Sequence, residues 1–302
     1  NEFVISIGNI TWGGTGKTAL TQYLTQLLID NGYKVAIVSR GYGRQTDGVV
    51  LVSDGKKILV TFSEAGDEPF LLATKVRNAP VVVAESRSDG LEAISKFATE
   101  VIVLDDAFQH RQIARDIDLV LVDASENIRN LHMIPFGKLR EPLDSLHRAS
   151  AIILTHSNHS NSETLDAIKS LSIPVFHANY YPVQFQFTGK RVAAFCGIAS
   201  PDHFRTLLEE HGAQLVFFRK FPDHHIYSSS ELNQLQDEAK RAGAEALLTT
   251  PKDGVKLNAN DFRFPFAIIT AELRVEEGEK FDSWIIERLK SSKSAAVMNH
   301  SL

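Results

Sequence analysis

One cysteine, two methionines and two tryptophans stand among 302 residues, and no apolar run is longer than a strand. A lone Cys196 closes no intrachain disulfide and builds no cysteine zinc centre, and it suits a reducing compartment. Runs such as Val101-Ile102-Val103-Leu104 fall far short of the roughly 20 apolar residues of a helical span, so any membrane contact is expected to be peripheral. Neither charge sign dominates: 32 Lys and Arg against 37 Asp and Glu leave a formal net charge of −5. That balance argues against a general nucleic-acid coat, and no nucleic-acid partner is expected. Internal repeats and low-complexity tracts are lacking, and no feature points to an obligate protein partner. There is no initiator Met and no basic-then-apolar leader, and residue 1 falls almost on a strand, so the natural chain is expected to begin upstream.

What is present is the composition of a folded protein, with 43 % apolar and 23 % charged residues. The length calls for one large α/β domain or two smaller ones. Short β-branched runs alternate with helix-length amphipathic segments, which predicts a parallel sheet covered on both faces. Strands are expected at 3–7, 34–38, 80–84, 100–104, 119–122 and 151–154, with helices at 17–31, 68–77 and 90–98. Segments 48–52 and 58–61 around Asp54-Gly55 read as a hairpin decorating that sheet. After about residue 174 the texture changes, and 179–190, with Tyr180-Tyr181-Pro182, reads as an extended connector. The remainder repeats the alternation with a strand at 192–195, a helix at 201–210, a strand at 214–218, a helix at 230–242 and a strand at 246–248. The expected division is a nucleotide-binding domain over 1–178 and a smaller α/β domain over 179–302, ending in a frayed tail from Ser291.

The most specific signal is Thr11-Trp12-Gly13-Gly14-Thr15-Gly16-Lys17-Thr18, between a strand and a helix. Its glycines let backbone N–H groups turn toward a polyphosphate, Lys17 brings charge to the β and γ phosphates, and the Thr18 hydroxyl suits Mg²⁺. Thr11 occupies the place of the first glycine in the strict pattern, which makes this a variant phosphate loop. The segment nearest to a guanine-reading motif, Thr74-Lys75-Val76-Arg77, lacks the final carboxylate, so ATP is favoured over GTP.

Asp105-Asp106 follow an apolar run and so fall at a strand's carboxyl end, where such sheets place ligands and where an acid supports Mg²⁺; helix capping is the plainer alternative. Asp67, opening a helix in Gly66-Asp67-Glu68-Pro69, reads by itself first as an N-cap. For the adjacent His224 and His225 a neutral structural role is the default, because neighbours in sequence point in different directions. Arg40, in Arg40-Gly41-Tyr42-Gly43-Arg44, either meets a phosphate or lies on a solvated turn. Gly137-Lys138-Leu139-Arg140-Glu141-Pro142 is a charged loop leading into a helix.

Taken in order, these segments resemble tetraacyldisaccharide 4′-kinase, a family of the lipid A pathway. The likeness runs through Gly8-Asn9-Ile10-Thr11 and the glycine loop, Ser39 to Gly43, Gly66 to Pro69, Leu104 to His110, and Pro135 to Pro142. It continues through Phe195-Cys196-Gly197-Ile198, Phe221 to His225, and Thr249 to Asp253 with Val255-Lys256, covering nearly the whole chain. Thr11 is ordinary for this family. The resemblance implies ATP and Mg²⁺ as cofactors and an acylated disaccharide phosphate lipid as acceptor. Thr11, Gly13, Gly14, Thr15, Gly16, Lys17, Thr18 and Arg40 would serve the nucleotide, and Thr18, Asp105, Asp106 and Glu141 the metal. Asp67 becomes the candidate for activating the acceptor hydroxyl, with His224 as its partner from the other domain and Lys17 clamping the transferred group. It further implies a peripheral place on the cytoplasmic face of the inner membrane. Two departures stand out: Ala107 where many relatives have glycine, and no amphipathic segment ahead of the first strand. A switch ATPase of the partitioning kind and a soluble small-molecule kinase are the alternative readings.

Overall fold

The computed structural model describes residues 2–299, with side chains through Ser292. The first part runs β1 (Phe3–Asn9), α1 (Lys17–Asp30), β2 (Val35–Ser39), β3 (Val50–Asp54), α2 (Phe62–Ala65), α3 (Asp67–Lys75), β4 (Pro80–Val83), α4 (Arg87–Ile94), β5 (Val101–Asp105), β6 (Ile117–Asp123), β7 (Ala151–Thr155), α5 (Ser162–Lys169) and β8 (Val175–Pro182). The second runs β9 (Arg191–Cys196), α6 (Pro201–Glu210), β10 (Gln214–Lys220), α7 (Ser229–Arg241), β11 (Ala246–Thr249), α8 (Pro251–Gly254), β12 (Phe266–Ile268), β13 (Ala271–Val275) and α9 (Gly278–Asn299).

Two sheets result: a nine-stranded one ordered β13-β8-β7-β6-β1-β5-β2-β4-β3, and a four-stranded one ordered β10-β9-β11-β12. The interior strands of the large sheet run parallel, and the edges β3 and β13 are antiparallel to their neighbours. Burial on both faces explains why β2, β4, β5 and β7 are Val/Ile-rich runs without alternation. The expected α/β class with a phosphate-loop sheet and a smaller α/β lobe is present. β1 lies between β5 and β6, and the chain crosses to opposite sides from there, so the crevice over the carboxyl end of β1 is the switch point.

On α1, Leu20, Leu24 and Leu28 recur every four residues and are fully buried against Ile5 and Ile7 of β1. Each such leucine contributes about 1.5–3 kcal/mol of burial, which anchors the helix whose amino end borders the glycine loop. Phe281, Ile285 and Leu289 of α9 close the same cluster.

Three expectations are corrected. The residues expected as a connector from 179 belong in part to β8, a strand of the large sheet, and β13 pairs with β8 while α9 joins the first core. The chain thus leaves the first lobe, builds the second and returns, a path that a single cut after residue 178 does not describe. The supposed hairpin is a turn at Asp54-Gly55, but its first arm pairs with β4 and its second meets the first at one bridge, Ser53 to Ile58. The tail from Ser291 continues α9 to Asn299; residues 300–302 lie outside the described part.

Candidate active site between the two lobes

The glycine loop connects β1 to α1. Asn9 Nδ2 donates to Thr15 Oγ1 at 2.8 Å, Thr155 Oγ1 donates to the Thr15 carbonyl at 3.1 Å, and the Trp12 amide donates to Lys138 O at 2.6 Å. These bonds fix the turn from both sides and leave Gly13 and Gly14 along the open cleft. Gly16, the residue before α1, has φ 99°, and a Cβ there would come within 2.1 Å of the Tyr180 hydroxyl. Backbone conformation and space both require glycine.

At the carboxyl end of β5 the two acids divide. Asp105 is buried, accepting from Ser39 Oγ at 2.9 Å and Thr21 Oγ1 at 3.1 Å. Burial, with the nearby charges of Glu68 and Asp106, pushes its carboxyl up to about 6. Asp106 faces the cleft with φ 50°; Arg140 binds it at 2.8 and 3.0 Å and Lys17 Nζ lies 3.6 Å away. Burial opposes ionisation of Asp106, but Lys17 and Arg140 outweigh it and hold the carboxyl below its ordinary value. The left-handed residue in this turn is Asp106. Ala107 is not among the positive-φ residues and is fully buried, so its methyl fits there without strain.

The second lobe closes the cleft from the other side. Its loop after β10 carries Asp223 and His224, and His224 Nδ1 meets Asp67 Oδ2 at 3.0 Å across the lobes. Lys256 Nζ, fully buried, reaches the same oxygen at 2.7 Å. Burial raises the Asp67 carboxyl, yet the His224 hydrogen bond and the ammonium of Lys256 outweigh it, leaving Asp67 below the usual carboxylate range. Asp67 opens α3 but makes no capping hydrogen bond, so the N-cap reading is not what the structure shows. Lys252 bridges the lobes as well, at 3.1 Å from both Glu68 Oε1 and Asp223 Oδ1, and lies 3.5 Å from His224 Nε2. The adjacent histidine turns away: His225 Nε2 meets Glu231 Oε1 at 3.1 Å and its ring stacks on Phe221.

Between the lobes lies a cleft of about 1000 Å³. Gly13, Gly14, Thr15, Gly16, Lys17, Thr18, Arg40, Asp106 and His224 all line it, so the structure brings together most of the residues singled out in the sequence. Thr11, bridged to Leu139, and Asp105 do not line it, and Asp67 lies directly behind His224. Glu141 is engaged by Arg148 at 2.6 and 3.1 Å and is likewise not on the cleft wall. Sequence reasoning assigned no role to Lys252 or Lys256. Their spacing of four, just past the end of β11, places both ammonium groups on one side of a helical turn, and that was the available signal. Trp12 and Tyr42 were also passed over; their rings meet edge to face at 6.3 Å, and Tyr42 packs 5.2 Å from His224.

Comparison with known proteins agrees with this geometry. The family model LpxK, tetraacyldisaccharide-1-P 4′-kinase, matches residues 1–290. The tetraacyldisaccharide 4′-kinase of Syntrophus aciditrophicus is 39 % identical over 314 residues, covering 95 % of this chain and 84 % of that protein. The one from Chlorobium limicola is 43 % identical over 270 residues, covering 84 % and 77 %. The crystal structure of LpxK from Aquifex aeolicus in complex with ATP superposes with a TM-score of 0.74 at 33 % identity, covering 95 % of this chain and 89 % of that one. With the glycine loop, the cleft-facing Asp106 and the cross-lobe histidine all in place, the chain belongs to the tetraacyldisaccharide 4′-kinase family.

Proposed function

We propose that this chain transfers the γ-phosphoryl group of ATP to the 4′-hydroxyl of tetraacyldisaccharide 1-phosphate, releasing ADP and the bisphosphorylated lipid. The observation that carries the reading is the His224–Asp67 contact, which joins the second lobe to the first beside the glycine loop. A partitioning-type switch ATPase has no use for that pair, and the relatives named above are kinases.

The loop amides and the amino end of α1 receive the phosphates, and Lys17 neutralises charge on the transferred group. The hydroxyl of Thr18 and the carboxylate of Asp106 are hard oxygen donors on the cleft wall, a set that fits Mg²⁺. When bound, Mg²⁺ neutralises phosphate charge and favours in-line displacement. Arg140 competes for Asp106 and Arg40 stands free on the same wall, so both are placed to take phosphate oxygens. As the acceptor oxygen bonds to phosphorus and the bond from phosphorus to the β-phosphate oxygen breaks, the hydroxyl proton passes to His224 Nε2. Asp67, expected from the resemblance to activate the hydroxyl, lies behind His224 and off the cleft wall, so in this reading that role passes to His224. Asp67 holds Nδ1–H and stabilises the imidazolium, a positioning role. Because the two belong to different lobes, the pair is complete only with the lobes together, which limits transfer to water.

The acyl chains need apolar surface, and Trp12 and Ile134 on the cleft wall are about half exposed, with Phe136 two residues further along at 90 %. No helix of the described residues is long and apolar enough to cross a membrane. Peripheral seating of this loop on the cytoplasmic face of the inner membrane follows as part of the proposal. The test is incubation with ATP and the acylated disaccharide phosphate in mixed micelles, read by mass spectrometry. Phosphorylated acceptor with no product from an acceptor lacking the 4′-hydroxyl is expected. ATP consumption without lipid product would overturn the reading.

A further inference from the structure

At the other flank of the cleft, three side chains with no part in the proposed transfer converge. We propose that Asp123, His156 and His203 form a site for one divalent transition-metal ion of the zinc class, joining the two lobes. Asp123 ends β6 and His156 follows β7, both in the first lobe, while His203 lies on α6 of the second. One ligand atom from each lies within 4.8 Å of the others.

The spacing is the argument. An ion about 2.0–2.1 Å from each of its tetrahedral ligands sets those ligands roughly 3.3 Å apart. His156 Nδ1 and His203 Nε2 each lie 3.3 Å from the Asp123 carboxylate, the first from Oδ1 and the second from Oδ2, so an ion between the rings meets the edge of the carboxylate rather than a single oxygen. The two imidazole rings lie with centroids 3.6 Å apart. His156 Nδ1 is buried, and its 3.3 Å approach to Asp123 Oδ1 lacks the geometry of a good hydrogen bond. A buried ring nitrogen that faces a carboxylate without a well-formed hydrogen bond to it is costly, and a shared cation removes that cost.

The surroundings match an outer shell. Ser125 Oγ donates to Asp123 Oδ1 at 2.6 Å and its amide donates to the same oxygen at 3.0 Å, orienting the carboxylate. Tyr180 stacks on the His156 ring at 5.4 Å, and its hydroxyl is the group that leaves no room for a side chain at Gly16. His156 has φ 53°, an uncommon backbone for a non-glycine residue that turns its ring to this corner. Two imidazoles with one carboxylate select zinc, cobalt or nickel over magnesium. His156, His203 and Ser125 line the cleft, so the fourth position opens there, to water or to an oxygen of a cleft ligand. A bound ion fixes the distance between the lobes at this flank, independently of the Asp67–His224 contact at the other.

The experiment is titration of the full chain with Co²⁺, then Zn²⁺, without nucleotide and with Mg²⁺ in excess. The wild type is expected to develop a visible Co²⁺ d–d band saturating at one ion per chain, abolished by Zn²⁺, and a melting temperature raised by Zn²⁺. His156→Ala and His203→Ala should each weaken binding at least tenfold and lose the thermal shift, while His224→Ala keeps both. His203 is partly exposed on a helix, so its variant tests the site without disturbing the core. No band in the wild type, or a band of unchanged affinity in His203→Ala, overturns the proposal.

Discussion

A carboxylate almost without water must be matched by its neighbours, and Asp67 and Asp105 solve this in opposite ways. Asp67 has an ammonium and an imidazole on one oxygen and stays ionised. Asp105 has two hydroxyl donors and two nearby acids, and its carboxyl is pushed up to about 6. A folded-state value above the unfolded one makes stability fall as pH rises from about 4 through 6, after which the penalty is constant. Asp105→Asn removes it and should stabilise the nucleotide-free protein above pH 7 by on the order of 3 kcal/mol, with the gain vanishing below about pH 4. Urea melts at both pH values check this; an equal effect at both would show that the variant acts through packing alone. Lys17→Ala should cut phosphoryl transfer by about 10²–10³-fold, read as initial rate at saturating ATP. At this scale the sequence was legible where one local motif fixes both residue and role, as at Lys17 and Thr18. Asp67 by itself reads as an N-cap, and only the family resemblance pairs it with His224; the contact with Lys256, far along the chain, has no local signal.

Elements position these side chains through a few points of close approach. The loop bearing Asp223 and His224 is seated on Gly197, whose carbonyl accepts from the His224 amide at 3.2 Å and whose added Cβ would stand 2.9 Å from Pro222 O. Asp253, buried at the end of α8's first turn, accepts the Gly197 amide and the Tyr227 hydroxyl and so braces the same loop. Gly197→Val should therefore displace His224, lowering kcat about 10²-fold with ATP affinity unchanged. Equilibrium nucleotide binding beside steady-state kinetics separates the two, and loss of ATP binding would show a wider disturbance. Most strands and helices were readable because β-branched runs and a four-residue leucine spacing are local signals. The second arm of the supposed hairpin is shorter than expected: it closes on the first through the Ser53–Ile58 bridge and the Leu59 amide, and alternation alone does not show where such pairing stops.

For the whole molecule, the return of the chain through β13 and α9 ties the second lobe to the first at both ends. Nothing local announces that return: Leu273, Val275 and Phe281 are apolar residues at strand and helix spacing, and only tertiary pairing assigns them to a sheet. The cleft was foreseeable from the topology, since strand carboxyl ends of both sheets face it, whereas the cross-lobe cations were not. Phe136, 90 % exposed, lies on the loop proposed above to seat on the membrane. Phe136→Glu should weaken sedimentation with anionic vesicles several-fold and raise the KM for micellar acceptor while leaving the KM for ATP unchanged. Unaltered vesicle binding would place the membrane contact elsewhere.

The cross-lobe pair is the claim on which the catalytic account depends, and a double-mutant cycle on kcat tests it most directly. Asp67→Ala and His224→Ala should each lower kcat by about 10²–10⁴-fold, with the double variant close to the more damaged single one, because both serve one proton transfer. Multiplying losses, with each variant keeping full ATP binding, would contradict a shared step across the lobes.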